Sequence, residues 1–274
     1  MSSADRVGVS TISFRFRPLD EALRLISELG AEEVDLGAIP AVTDHVPVPF
    51  GGDPTAYVAA LAEHRLRSGA VNADVGDLND PQLSAEALSQ TARPLIDLAA
   101  ETGGALIVPC GASSWDPFVD EETDLNQIVE NLRLIASLAA QRSVRLLVEV
   151  LHHRRYVHDV ERAEKVLSRC SADVFGLLFD VSHIVASQDD PVAWAASRVD
   201  RVERVHLRDA VAGDLNIGIG RGEVDFHGVI TTLESGGFNG SYILELETHD
   251  VAEADRFDDA RRSRDLILDI LSQC

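Results

Sequence analysis

Short apolar runs rich in β-branched residues alternate with longer amphipathic segments along the whole chain. The runs that indicate strands are 6–14, 32–39, 66–75, 105–111, 144–151, 174–181, 202–209 and 241–248. The segments with helical spacing are 19–30, 53–66, 83–104, 121–142, 158–170, 190–198, 224–237 and 254–274. Strict alternation predicts a parallel sheet covered by helices, and eight repeats in a chain of 274 residues predict a single (β/α)8 barrel.

The main alternative architecture is an open, doubly wound sheet, which normally has a Gly-rich turn after its first strand. The turn after the first run, within 9–18, contains no glycine. No linker or low-complexity stretch interrupts the series, so residues 1–274 are predicted to form one TIM-barrel domain with its most irregular loop at 42–53. We expect Asp53, which precedes a proline, to cap the second helix and Pro94 to bend or split the third.

The charge balance is strongly acidic, with 24 Lys and Arg against 46 Asp and Glu and a net charge of −22. Such a surface repels nucleic acid and anionic membranes, so neither is an expected partner. Lys165 is the single lysine of the sequence and falls in a helical segment, which argues against Schiff-base chemistry.

Cysteine content and hydropathy indicate the expected compartment. Cys110, Cys170 and Cys274 have no metal-ligand or disulfide-framework spacing. The first residues do not resemble a signal peptide, and no apolar run approaches the roughly 18 residues of a membrane-spanning helix. These features predict a soluble, reduced, cytoplasmic protein.

Four consecutive predicted strands end in a residue that can bind a cation. These residues are Glu149, Asp180, His206 and Glu245. Barrel enzymes place their chemistry at the carboxyl ends of the strands, and neighbouring strands lie about 4.8 Å apart. Because three buried carboxylates together need a cation, we expect one divalent metal ion there. Carboxylate and imidazole ligands predict Mn²⁺ first, with Mg²⁺, Co²⁺ or Zn²⁺ as alternatives.

The arrangement of these residues resembles the xylose isomerase-like TIM barrel superfamily, which includes sugar phosphate isomerases and epimerases and barrels of the AP endonuclease family 2 type. The resemblance covers essentially the whole chain and rests on Glu149, Asp180-x-x-His183, His206-x-Arg208-Asp209, Glu245 and the glycine-rich stretch 218–226. It implies that Glu149, Asp180, His206 and Glu245 bind the metal and that His183 contacts substrate. It also implies a small sugar or polyol as substrate, and we expect a homodimer or homotetramer.

The chemistry expected of such a site is proton abstraction next to a carbonyl. A metal that binds the carbonyl and an adjacent hydroxyl would acidify the C–H bond and stabilise the resulting enediolate. Glu149 and Glu245 are the expected base and acid. Arg208, His152 and Asn72 are expected to join His183 in binding substrate, although an ion pair with Asp209 or Glu247 would also explain Arg208.

Several further residues bear on the substrate but do not identify it. Asp35 stands where many relatives have glutamate, and Arg155 and Ala212 lie near positions at which ketose 3-epimerases hold the terminal hydroxyls of the sugar. Arg15 and Arg17 could bind an anionic group or could simply lie on the surface. Cys110 is interpreted as a small buried residue rather than a nucleophile.

The last predicted strand contains two candidate glutamates, Glu245 and Glu247. We expect one to face the barrel axis and the other to face the helices. We choose Glu245 as the metal ligand because of the resemblance to the family named above.

Other functions fit parts of the sequence. A dehydratase acting on a keto-polyol would use the same metal site and would release water. A DNA-repair phosphodiesterase of the endonuclease IV kind is favoured by Asp225-x-His227 together with His183, but it is opposed by the charge of −22 and by strands two to four, which end without histidine. A non-catalytic binding barrel is opposed by the complete set of four metal-binding residues. The sequence does not separate isomerase, epimerase and dehydratase chemistry.

Overall fold

Eight parallel strands close into a barrel, which confirms the predicted (β/α)8 TIM barrel. The computed structural model describes the chain from residue 3 to residue 274. The barrel strands are β1 (Val7–Ser10), β2 (Glu33–Ala38), β3 (Arg67–Ala73), β4 (Ala105–Pro109), β5 (Leu146–Glu149), β6 (Gly176–Asp180), β7 (Val202–Leu207) and β10 (Ser241–Leu244). Their order around the barrel is β1-β10-β7-β6-β5-β4-β3-β2, so each strand lies beside its neighbours in the chain and β10 closes the ring against β1.

Helices cover the barrel on the outside. Their bounds are α1 (Leu19–Glu28), α2 (Pro54–Glu63), α3 (Ala85–Thr102), α4 (Glu121–Ala140), α5 (Val160–Arg169), α6 (Val181–Ala186), α7 (Pro191–Arg198), α8 (Phe226–Ser235) and α9 (Arg256–Leu271). Asp53 caps α2 by accepting the Thr55 amide, as expected. The helix that contains Pro94 is not split and runs without interruption from 85 to 102.

Two connections differ from the sequence-based expectation. A short helix, α6, follows β6 directly, and an antiparallel hairpin of β8 (Asp209–Val211) and β9 (Asp214–Ile217) follows β7. The first predicted strand is shorter than expected, because 11–14 forms a 3-10 turn. Each of these elements lies at the carboxyl end of a barrel strand, so each can position residues around the barrel mouth.

The carboxylate of Asp209 holds the hairpin and the glycine-rich stretch together. It accepts hydrogen bonds from the backbone amides of Ala210, Gly220, Gly222 and Val224, at 2.9 to 3.1 Å. A Cβ atom on Gly222 would lie 2.3 Å from this carboxylate, so only glycine fits there without a rearrangement. The glycine-rich stretch is therefore a loop that folds around Asp209.

The interior of the barrel has two chemically different parts. Ala70, Ile107, Leu147 and Leu178 form a small apolar cluster inside β3 to β6. On the side of β2, β7 and β10, the interior contains buried charged residues that include Glu33, Asp35 and Arg204. The large apolar core lies between the barrel and its helices.

None of the helices in residues 3–274 combines the length and the apolar character that crossing a bilayer requires.

Candidate metal centre and substrate cavity

The four predicted metal ligands lie at the carboxyl ends of neighbouring strands, and all four are buried. Glu149 and Asp180 are the last residues of β5 and β6, His206 is the penultimate residue of β7, and Glu245 directly follows β10. The carboxylate of Asp180 also caps α6 by accepting the Ser182 amide at 2.8 Å. The β6 strand and the helix that follows it therefore fix this carboxylate at the barrel mouth.

Asp180, His206 and Glu245 form a compact group that can hold a metal ion. One ligand atom from each lies within 4.8 Å of the other two, and all three residues are buried. His206 Nδ1 lies 3.4 Å from Glu245 Oε2, yet it is buried and has no hydrogen-bond partner among the described residues. The other ring nitrogen, Nε2, is 3.0 Å from Asp35 Oδ2. An imidazole nitrogen without a hydrogen bond, grouped with two carboxylates, is a donor set that suits a divalent cation.

The electrostatics of His206 follow from the same contacts. Burial opposes protonation of the ring, but the carboxylates of Glu245 and Asp35 outweigh it and raise the pKa of His206 to about 10. The imidazole therefore carries a proton on Nδ1 when no other cation is present. A metal ion bound there must displace that proton.

Glu149 belongs to a second group, with His152 and His183, rather than to the compact group of the other three predicted ligands. Glu149 Oε1 lies 3.4 Å from His183 Nε2, which draws this carboxylate towards the histidine. Burial, reinforced by the nearby charges of Asp180 and Glu245, raises the pKa of Glu149 to about 8. A carboxyl group with a pKa close to neutrality can both take up and release a proton at physiological pH.

The two histidines of this group lie against each other, with ring centroids 3.8 Å apart. His183 Nδ1 accepts the backbone amide of His153 at 3.1 Å, and His152 Nδ1 accepts that of Arg154 at 3.2 Å. Burial holds the pKa of both rings well below the usual value for histidine. Both rings are therefore neutral, and the proton of His152 is on Nε2, where it can donate a hydrogen bond.

Arg208 lies at the centre of the cluster and is only 3% exposed. Its Nη2 is 2.9 Å from Asp180 Oδ2 and 3.4 Å from Glu245 Oε2, and its Nη1 is 3.2 Å from Glu247 Oε2. The ion pair with Glu247 is one that the sequence left open, whereas Asp209 is occupied by the glycine-rich loop. Nη2 is also 2.9 Å from His183 Nε2. The guanidinium can only donate, so this contact needs His183 Nε2 as the acceptor.

The two glutamates after β10 do not face opposite sides, so that expectation was wrong. Side chains two residues apart point the same way, and the strand ends at Leu244. Glu245 accepts a hydrogen bond from Asn72 Nδ2 at 3.0 Å, whereas Glu247 pairs with Arg15 and Arg208. Both glutamates line the same cavity. Asn72 therefore orients a candidate ligand.

A cavity of about 330 Å³ opens above these residues and is large enough for a small molecule. Its wall contains Asn72, Glu149, His152, Arg154, Arg155, Arg208, Glu245 and Glu247, together with apolar residues such as Ile12, Ile39 and Val42. His183, Asp180 and His206 lie directly behind this wall. The structure thus brings the predicted substrate-binding residues to one place.

The remaining arginines fall into different environments. Arg155 is buried and paired with Asp74, and Arg17 lies outside the cavity in ion pairs with Glu21 and Glu253. Arg154 lines the cavity and forms no ion pair within the described part of the chain.

Sequence reasoning did not assign roles to two residues beneath the cluster. Asp35 contacts His206, and Arg204 contacts Asp35. The signal was present, because Arg204, His206 and Arg208 alternate along the predicted strand 202–209 and so should face the same side of a run that is otherwise apolar.

The histidine of Asp225-x-His227 belongs to neither metal-capable group found within residues 3–274. Asp225 instead caps α8 by accepting the Gly228 amide at 2.8 Å.

Comparison with known proteins agrees with this architecture. A family model described as xylose isomerase-like TIM barrel matches residues 23–270. The chain belongs to this family. An inosose dehydratase from Geobacillus thermodenitrificans is 26% identical over 170 residues, which are 55% of this chain and 55% of that protein. The chain thus matches only about half the length of this relative.

Solved structures of this fold superpose along nearly the whole chain. The IOLI protein, solved with a zinc atom, has a TM-score of 0.78 at 14% identity and covers 98% of both chains. The 3-keto-D-glucoside 4-epimerase YcjR from E. coli has a TM-score of 0.71 at 16% identity, covering 95% of this chain and 99% of that one. At these identities the likeness shows the shared fold. One protein compared here is named a dehydratase and another an epimerase, so the comparisons do not decide the reaction.

Proposed function

We propose that this protein is a divalent-metal-dependent isomerase or epimerase that removes a proton from the carbon next to the carbonyl of a small sugar or polyol. The observation that carries the proposal is the grouping of the buried His206 ring with the carboxylates of Asp180 and Glu245, in which Nδ1 makes no hydrogen bond and lies 3.4 Å from Glu245 Oε2. A buried polar atom without a partner is costly unless a ligand satisfies it. The zinc atom in the IOLI protein supports the same interpretation.

The residues present fit one divalent ion. Asp180, His206 and Glu245 would hold it, and Glu149 would join them from the neighbouring strand end. Oxygen and imidazole donors suit Mn²⁺, Mg²⁺, Co²⁺ or Zn²⁺. When bound, such an ion polarises a carbonyl group and makes the adjacent C–H bond more acidic.

Proton transfer is assigned to the two glutamates. Glu149 is assigned as the base, because its carboxylate lines the cavity at the end of β5, beside the other candidate ligands. Glu245, directly after β10 and across the arc from β5, would return a proton from another direction. Asn72 holds the Glu245 carboxylate in place through its hydrogen bond to Oε1.

Charge that develops on the substrate oxygens needs hydrogen-bond donors. Arg208 and His152 line the cavity, and His183, directly behind them, accepts from Arg208 Nη2 and lies against the His152 ring. A substrate oxygen beside this group would receive a hydrogen bond from the charged Arg208, and His152 Nε2 can donate a second. His183, Arg208 and His152 are therefore assigned to substrate binding.

A dehydratase acting on a keto-polyol is the second candidate, and the inosose dehydratase among the relatives favours it. Proton abstraction by Glu149 would be the same in that reaction. The difference is the fate of a hydroxyl group on the next carbon, which leaves as water in a dehydratase and stays in an isomerase.

The test is deuterium incorporation followed by NMR in D₂O, with a panel of ketoses and inososes, with and without Mn²⁺. A metal-dependent exchange of one substrate C–H proton supports the proposal, and the mass of the product distinguishes isomerisation from loss of water. Absence of exchange across the panel with the metal-loaded protein contradicts it. Three zinc ions per chain or cleavage of abasic DNA would instead indicate a nuclease.

A further inference from the structure

The barrel interior beneath the candidate metal centre contains a second set of charged residues. Arg204 donates from Nε to Asp35 Oδ2 at 2.8 Å and from Nη2 to Asp35 Oδ1 at 2.5 Å. The same Nη2 is 2.6 Å from Glu33 Oε1. Asp35 is fully buried, and Glu33 and Arg204 are 2% and 6% exposed. We call Glu33, Asp35 and Arg204 the interior brace.

The brace contacts the metal centre at one point. Asp35 Oδ2, which already accepts Arg204 Nε, also lies 3.0 Å from His206 Nε2. Glu33 has no such contact, since its oxygens are taken by Arg204, Ser241 and Arg67. The two carboxylates of the brace therefore share Arg204, but only Asp35 reaches a candidate ligand.

We propose that Asp35, fixed by Arg204, is a positioning residue that keeps the His206 proton on Nε2 and leaves Nδ1 as the nitrogen that binds the metal. The inference rests on the proposed function. A neutral imidazole has one protonated nitrogen, and the partner of one nitrogen decides which of the two can bind metal. Carboxylates that accept the second N–H of a metal-binding histidine orient its ring and increase its basicity.

The charge and rigidity of the brace suit this role. Arg204 balances the charge of Asp35 through hydrogen bonds to both of its oxygens, so the carboxylate remains an acceptor for His206. Two hydrogen bonds from one guanidinium fix the plane of the carboxylate. Because Asp35 comes from β2 and His206 from β7, the orientation of the ring is set across the barrel rather than by its own strand.

Glu33 provides a matched control. Asp35→Asn and Glu33→Gln each exchange a buried carboxylate for an amide of the same shape, and each weakens one contact with Arg204. Only Asp35→Asn alters the group beside His206. A purely structural role for the brace predicts similar effects from both changes, whereas a positioning role predicts that they differ.

The experiment measures binding of Co²⁺ and Zn²⁺ alone, by calorimetry and by the visible spectrum of Co²⁺. We expect Asp35→Asn to weaken Co²⁺ binding by about 10- to 100-fold and to change the spectrum. Glu33→Gln should stay within about threefold of the unchanged protein, because it touches no ligand. In parallel, ¹⁵N NMR of the zinc-loaded unchanged protein should show His206 protonated at Nε2, with the signal assigned by its loss in His206→Gln.

Each outcome bears on the inference. Equal effects of the two substitutions, or zinc on Nε2 of His206, overturn it while leaving the proposed function intact. If the unchanged protein binds no metal, both the proposed function and the inference fail. If Asp35→Asn does not fold, the NMR result on the unchanged protein decides, since zinc on Nδ1 supports the assignment and zinc on Nε2 contradicts it.

Discussion

The barrel encloses two buried clusters made of the same residue types, and they differ in how their charges are balanced. In the interior brace, one guanidinium lies between the two carboxylates of Glu33 and Asp35, and Ser241 and Arg67 complete their contacts. We call Glu149, Asp180, His206, Arg208 and Glu245 the mouth cluster. Here Arg208 faces several carboxylates, and His206 Nδ1 has no hydrogen-bond partner and lies 3.4 Å from Glu245 Oε2. The brace is a completed network, whereas the mouth cluster has an excess of negative charge.

This difference identifies the candidate site more clearly than burial or residue type does. Both clusters are almost fully buried, and both contain acids and an arginine. Buried charge that is paired and hydrogen-bonded is a structural element, whereas a surplus of buried carboxylates requires a further cation. The mouth cluster also borders the 330 Å³ cavity, so a substrate can reach that cation.

The largest effect is expected at Glu149, where the change removes the proposed base but preserves the shape of the side chain. Glu149→Gln should lower turnover in the deuterium-exchange assay by about 10²- to 10⁴-fold. The fold should survive, because an amide is less costly to bury than a carboxylate. Circular dichroism and thermal melting provide the control. Full activity in the folded variant would remove Glu149 from the proton transfer.

The two clusters should respond in opposite ways to the loss of a charge. Arg204→Met leaves the two brace carboxylates buried without their cation and should lower the free energy of unfolding by about 3–5 kcal/mol. In the metal-free protein, Glu149→Gln removes a carboxyl group whose ionisation is opposed by burial and by Asp180 and Glu245, and it should cost far less. Urea titration in the presence of a chelator compares the two. Similar losses would mean that the mouth cluster is as well balanced as the brace.

The contrast between the clusters also explains which features could be predicted from the sequence and which could not. The alternation of apolar runs and amphipathic segments was sufficient to predict the barrel fold, because periodicity is a local property of the chain. The positions of Glu149, Asp180 and His206 at strand ends followed from the same alternation, as did that of Glu245 just past the last strand. Which side chains come into contact could not be predicted in this way, because it depends on strand register across the barrel.

Particular residues show why such contacts could not be predicted from the sequence. Asp35 and His206 lie on strands that are not neighbours, so no local pattern connects them. The position of Arg208 beside His183 depends on α6 and on the hairpin that contains Asn216, and neither element was predicted. The directions of Glu245 and Glu247 were also predicted wrongly, although side chains two residues apart on a strand face the same side.

The pH dependence of stability offers a test with a smaller effect. In the metal-free protein, raised pKa values of about 10 for His206 and about 8 for Glu149 stabilise the folded state at low pH. The His206 contribution is complete below about pH 6.5 and is lost as pH rises towards 10, and that of Glu149 is lost between about 4.5 and 8. Metal-free stability should therefore fall between pH 6 and 9.

A bound cation replaces the proton on His206, so the metal-loaded protein should lose less stability over the same range. The rise in melting temperature on adding Zn²⁺ or Mn²⁺ should consequently be larger at pH 8.5 than at pH 6. Thermal melts with and without a chelator measure it, and His206→Gln should flatten the dependence. A metal effect that decreases with pH would contradict protonation of the mouth cluster.

The smallest effect is expected at Cys110, which lies beside the mouth cluster but belongs to the apolar core. Burial raises the pKa of its thiol, and the nearby Cys170 and Glu149 add to the shift. The group is therefore an uncharged thiol, which is neither a nucleophile nor a metal ligand. Cys110→Ala should leave turnover and Co²⁺ affinity within about twofold and should cost only about 1 kcal/mol of stability, because it removes a single buried atom. A large loss of activity without unfolding would show that the functional cluster extends beyond the residues whose charges are unbalanced.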